Sequence, residues 1–158
     1  MNWLDALLAA TAVLWGLVRS RRGAARVLVE LLSAALGLWA AVRFTDAAAG
    51  WARVRGWSYA VAWPSAFVLL WAVPVLLGQA LSGTMASSPP RRRAAAWDKA
   101  TAGLMGAAEI LVATVGLVFL AEGAGRASQP PFADSFVVGS LRRALPALAE
   151  WLAEVLAL

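Results

Sequence analysis

AVAWPSAFVLLWAVPVLLGQALSGTM, residues 60–85, carries no charged side chain from end to end. A helix rises about 1.5 Å per residue, so this run is long enough to cross a hydrocarbon core of roughly 30 Å, and it predicts a membrane span. Pro64 and Pro74 lie inside it. Proline removes an intrahelical hydrogen bond, so Pro74 is expected to kink the span at mid-depth, as a packing feature rather than a gating hinge.

The rest of the chain has the same character. Of its 158 residues 61% are hydrophobic and 15% charged, against about 25% charged in soluble domains. A soluble exterior needs more polar surface than this composition leaves. The fold class is therefore all-α, an integral membrane protein.

The charges that exist are clustered. Arg19, Arg21, Arg22 and Arg26 follow the first apolar run, and Arg91, Arg92 and Arg93 follow the run at 60–85. Loops retained in the cytoplasm collect Lys and Arg, so both clusters are expected inside, at the level of the lipid headgroups. The net charge of +5 is thereby assigned to topology and not to nucleic acid, which calls for a continuous basic face.

Two inside turns imply four transmembrane helices in two hairpins, with both termini outside. The expected spans are about residues 3–18, 24–43, 60–84 and 100–121, forming a domain over 1–121. No basic residue precedes the first run and several follow it, the reverse of a signal peptide, so it is read as a retained span. The segment Thr45–Tyr59, with Trp51, Trp57 and nearby Trp63, is expected to lie along the outer interface as an aromatic belt. Ser87-Ser88-Pro89-Pro90 stops the third span, and Glu122-Gly-Ala-Gly ends the fourth.

Residues 122–158 form a linker, containing Gln129-Pro130-Pro131, and a tail helix. Leu141, Leu145, Leu148, Leu152 and Val155 recur there at helical spacing, with the regular start placed near Pro146. An amphipathic interfacial helix is expected, and a fifth span is the alternative.

Cysteine and histidine are absent, which removes thiol chemistry, thiolate metal sites and imidazole bases. Lys99, beside Asp98, reads as an ion pair or headgroup contact rather than half of a Ser-Lys dyad. Gly123-Ala-Gly125 lacks the strand and third glycine of a nucleotide site. Neither an enzyme nor a resident cofactor is expected.

Two acids fall inside predicted spans. Glu30 shares a face with Ser33, Gly37 and Ala41, and Glu109 shares one with Ala102, Gly106, Ala113 and Gly116. Small residues, Gly103 included, let helix backbones approach, so both faces point at protein. Counting from the inner ends places both acids at similar depth, with Gln79 within reach. A buried cluster of Glu30, Glu109 and Gln79 is expected, with at least one carboxyl protonated because adjacent carboxylates resist double ionisation. Three readings stay open: helix-joining hydrogen bonds, a proton or solute pathway, and a simple pairing of Glu30 with Arg26.

Asn2-Trp3-Leu4-Asp5, Arg21-Arg22-Gly23 with Arg26, and Trp97-Asp98-Lys99 ahead of Gly103 and Gly106 occur in that order. Together they resemble the colicin V production protein (CvpA) family of small bacterial inner-membrane proteins. Arg19 or Ser20 stands where the family's glycine usually precedes the arginine pair, and Val27 where an acid often follows Arg26. The resemblance, which covers most of residues 1–121, implies Asp5, Gly23 and Asp98 as motif positions. It also implies a role in colicin V production or export and in envelope homeostasis, acting through a membrane or envelope partner. A similar four-span unit anchors a periplasmic protease in some actinobacteria; with Leu158 last, no protease domain is expected here. The competing expectation is a proton-linked channel or transporter component using Glu30 and Glu109, as a homo-oligomer because four short spans enclose little volume.

Overall fold

A computed structural model of the chain describes residues 2–85, 96–124, 133–141, 143 and 144, and all regular structure among them is helical. Four long helices run in order: α1 (Trp3–Arg19), α2 (Ala24–Val54), α3 (Tyr59–Thr84) and α4 (Ala96–Gly123). Three of these, α2, α3 and α4, are long and apolar enough to cross a membrane. At 17 residues, α1 spans about 25 Å.

The helices joined by the arginine turns are not the ones that pack most closely. α2 packs along α3 and α4, and α1 packs along α4. Ser20 lies against Gly103 and Trp15 reaches Glu109, so α1 runs antiparallel to α4 and passes its first half. α2 runs antiparallel to α3, with Ser33 opposite Gly78 and Gly37 opposite Trp71 and Pro74. In the bundle α4 sits between α1 and α2, and α2 packs against α3.

Small residues make this possible. Val27, Glu30, Gly37, Ala41, Thr45 and Ala49 form the buried stripe of α2, recurring every three or four residues on one face. Ala102, Gly106, Glu109, Thr114, Gly116, Val118 and Ala121 are the buried positions of α4. A Cβ on Gly37 would meet the Trp71 carbonyl oxygen at 2.7 Å, and one on Gly116 would meet the Trp71 ring at 2.6 Å. Large apolar side chains instead face outward, among them Leu36, Leu69, Leu76 and Leu104, as lipid contact requires.

Three boundaries differ from the expected ones. α2 does not stop at Arg43 but continues to Val54, so most of the segment expected along the interface is helix. The buried stripe explains this: Ala49 packs with Ala62 and Ala66, the Thr45 hydroxyl donates to the Ala41 carbonyl at 2.5 Å, and Trp63 Nε1 donates to Asp46 at 2.9 Å. The chain reverses only at Gly56, where φ is 90°. α3 then passes through Pro64 and Pro74 without a break.

α4 begins at Ala96, so Trp97, Asp98 and Lys99 form its first turn instead of a loop before it. An acid there is favoured by the helix dipole. The tail is helical from residue 136, well before Pro146, because Ser135 caps it by accepting from the Val138 amide at 3.2 Å. Residues 86–95, 125–132 and 145–158 lie outside the described residues, and with them Arg91, Arg92, Arg93 and most of the expected amphipathic tail.

Candidate functional site

The end of α1 carries the site. Trp15 and Arg19 are one helical turn apart on the same face, and the guanidinium stacks over the indole with its carbon 4.7 Å from the ring centroid. Gly16, between them, touches the α4 backbone; a Cβ there would meet the Gly103 carbonyl oxygen at 2.8 Å. Gly106 clears the Arg19 stem in the same way, since a Cβ would lie 2.6 Å from Arg19 Cβ. One turn further along α4 is Glu109.

Glu109 Oε2 accepts from Arg19 Nε at 2.9 Å and from Trp15 Nε1 at 2.7 Å, and Arg19 Nη2 lies 2.8 Å from the same oxygen. The third guanidinium nitrogen, Nη1, is ion-paired with Glu30 Oε2 on α2. Arg19, Glu30 and Glu109 are 4%, 5% and 9% exposed, so one arginine joins α1, α2 and α4 away from solvent. Only a guanidinium, with its rigid fork of donors, can hold two carboxylates at once in this way.

The far oxygen of Glu30 is also engaged. The Ser82 hydroxyl on α3 donates to Oε1 at 2.5 Å, and the half-exposed Arg22 places Nη1 at 3.6 Å from it. Arg26 turns away and donates from Nε to the Ser82 carbonyl at 3.1 Å. The pairing of Glu30 with Arg26 is therefore replaced by pairing with Arg19 and Arg22.

A cavity of about 170 Å³ adjoins the ion pairs, lined by Trp15, Arg19, Glu30, Trp71, Gln79 and Glu109 together with small apolar side chains. Gln79 sits at its exposed margin while both acids are buried. The structure thus brings Glu30 and Glu109 to one guanidinium and puts Gln79 on the same cavity. Arg19 lies between the two acids and is ion-paired with both.

Sequence reasoning placed Arg19 at the headgroups with Arg21 and Arg22. Arg21 and Arg22 are exposed, whereas Arg19 is a buried member of the site. Trp15 and Trp71 were also missed. The available signal was Trp15 at four residues before Arg19, a stacking pair aimed along the Gly16 face.

The remaining motif positions hold helix ends together. Gly23 caps α2 without a side chain at φ 83° and ψ 142°, a region that only glycine enters readily. Asp98 on α4 supplies the missing acceptor, taking the Ala24 amide at 3.0 Å. Asp5, 1% exposed, caps α1 with Asn2 and also receives the tail. Its Oδ1 accepts from the Ser135 hydroxyl at 2.5 Å and from the Val137 amide at 3.1 Å. Its Oδ2 accepts from the Phe136 amide at 3.1 Å and the Asn2 amide at 3.0 Å.

No curated protein and no solved structure matches this chain. The family description "Colicin V production protein" matches residues 4–146, a span that includes Asp5, Gly23, Asp98 and the whole Arg19 site. By that match over most of its length, the chain belongs to the colicin V production protein (CvpA) family.

Proposed function

We propose that the chain is a non-enzymatic protein of the bacterial inner membrane that assists colicin V production or export and envelope homeostasis by contacting a membrane or envelope partner. The observation that carries this is the family match to a bundle whose buried charges are spent on joining its own helices. Arg19 ties three helices together, which suits a rigid surface for another membrane protein to read. Photo-crosslinkers at outward-facing Leu36, Leu76 and Leu104, used in native membranes, should capture one defined protein. Lipid adducts alone at all three sites would sink the reading.

All four helices cross the membrane in this proposal, α1 as the shortest, since Leu7, Leu14 and Leu17 are exposed along its length. The exposed Arg21 and Arg22 keep their turn inside, which puts the α2–α3 turn and both termini outside. An impermeant thiol reagent applied from outside should label Ser58→Cys and spare Arg21→Cys; the opposite pattern reverses the orientation.

A second reading, a proton-linked channel or transporter component, is favoured by one specific observation. The cavity beside the ion pairs is lined by three groups with a buried polar atom that makes no hydrogen bond among the described residues, Glu109 Oε1, Trp71 Nε1 and Glu30 Oε2, the last of which is ion-paired with Arg19. Such groups at membrane depth attract water and mark ion or proton paths.

A further inference from the structure

We infer that the turn joining α2 to α3 holds one anionic phospholipid, its phosphate on Arg53 and Arg55 and its two acyl chains in adjoining grooves below them. Both helices are long and apolar enough to cross a membrane, so the turn between them lies at headgroup level whichever way the bundle faces. It is at the opposite end of α2 from the exposed Arg21 and Arg22. Retention of basic loops on one side of the membrane therefore does not account for arginines at both ends.

Aromatic faces, and not acids, hold both guanidiniums. Arg55 lies over the Trp51 ring with its carbon 3.6 Å from the centroid, and Arg53 lies over Tyr59 at 5.8 Å. Neither is ion-paired among the described residues. Asp46, the nearest acid in sequence, accepts instead from Trp63 Nε1 at 2.9 Å. Stacking uses the face of a guanidinium and leaves its in-plane N–H donors, the fork that takes a phosphate. Both arginines are exposed, so a headgroup can reach them. Its net charge must be negative, because the ammonium of a zwitterionic lipid would face two guanidiniums.

The grooves lead from this turn along the outside of the helix pair. One, of about 310 Å³, starts at Arg55 and Trp57 and passes Ala48, Ala52 and Ala66 to Leu70. The second, of about 520 Å³, lies over Pro64 and Val68. Trp57, Ser65 and Leu69 line both, so they form the ridge between two apolar channels that meet beside the arginines. One glycerol carrying two chains has this shape. Apolar grooves gain little from lipid by the hydrophobic effect, since the surrounding lipid is equally apolar; the arginines choose the headgroup, and the paired grooves choose a two-chain lipid.

The test is native mass spectrometry of the full chain in detergent, titrated with dioleoylphosphatidylglycerol, dioleoylphosphatidylcholine, lysophosphatidylglycerol or inorganic phosphate. Wild type should retain one phosphatidylglycerol about tenfold more tightly than phosphatidylcholine, the ratio one charge-assisted contact provides, and more tightly than the single-chain lipid. Arg53→Gln combined with Arg55→Gln should abolish the headgroup preference at an unchanged melting temperature, and Arg21→Gln should keep it. Equal retention of the two diacyl lipids, or a preference that survives in the double variant or is lost as fully in Arg21→Gln, overturns the proposal. Equal retention of the single-chain lipid removes the two-groove seat and overturns it as well. Displacement of the lipid by inorganic phosphate would make the turn a free-anion site, which is the remaining way it fails.

Discussion

Arg19 on α1 grips Glu109 on α4 through two nitrogens that converge on one oxygen, Nε at 2.9 Å and Nη2 at 2.8 Å from Oε2. The third nitrogen is given to Glu30 on α2. Removing the guanidinium strands two carboxylates that are 5% and 9% exposed. Breaking a buried pair by deleting one partner costs about 3–5 kcal/mol. Arg19→Ala should therefore lower the unfolding temperature in detergent sharply. Arg19→Lys should recover only part of it, since one ammonium nitrogen cannot occupy the separate positions from which Nη1 serves Glu30 and Nε and Nη2 serve Glu109. Adding Glu30→Gln and Glu109→Gln to Arg19→Ala should restore stability, and failure to do so would show that charge is not what Arg19 supplies.

The glycines separate into two groups that differ in what a methyl would strike. Gly106→Ala places its Cβ 2.6 Å from the Arg19 stem, forcing α1 off α4, and should cost about 1–3 kcal/mol as overpacking does. Gly50, also in a helix, has nothing within 4 Å. There Ala lowers the entropy of the unfolded chain and should be neutral or stabilising by about 0.4–1 kcal/mol. Thermal melts of both variants in the same detergent give the comparison.

Much of this was legible from side-chain period alone. Glu30 with Gly37 and Ala41, and Glu109 with Gly106 and Gly116, repeat at helical spacing, and a face of small residues has to meet another helix. The partner of those acids was not legible. Arg19 ends an apolar run beside Arg21 and Arg22, and hydropathy treats all three as loop charges. What distinguishes Arg19 is a tertiary fact, the close approach at Gly16 and Gly103 that draws α1 onto α4. The length of α2 was hidden for a similar reason. Arg43 and Asp46 mark a boundary by polarity, yet the buried stripe of Ala41, Thr45 and Ala49 continues against α3 and holds the helix together.

The Gly23 and Asp98 pair predicts a cap that acts between helices. Asp98→Ala removes the acceptor of the Ala24 amide, and loss of an N-terminal cap costs about 1 kcal/mol. Gly23→Ala should cost about 1–3 kcal/mol for backbone reasons alone, because φ is 83° and ψ 142°. The double variant should approach the sum only if the two effects are independent. Gly23→Ala shifts the Ala24 amide away from Asp98, so the double should be less damaging than the sum, as a double-mutant cycle in detergent would record.

Asp5 sets how firmly the tail is docked. Its carboxylate receives Ser135, Phe136 and Val137, so two helix N-termini, those of α1 and of the tail, converge on one negative charge. Asp5→Asn keeps an acceptor but loses the charge, and Asp5→Ala loses both. Hydrogen bonds to a charged group contribute about 1.5–3 kcal/mol each, so the Phe136 and Val137 amides should exchange with solvent much faster in Asp5→Ala and to an intermediate degree in Asp5→Asn. Amides in the middle of α2 and α3 should keep their protection, because no side chain of either helix contacts Asp5 through these bonds. Hydrogen exchange read by mass spectrometry resolves the two regions. Equal loss across the whole chain would mean that Asp5 supports the bundle itself and not the tail.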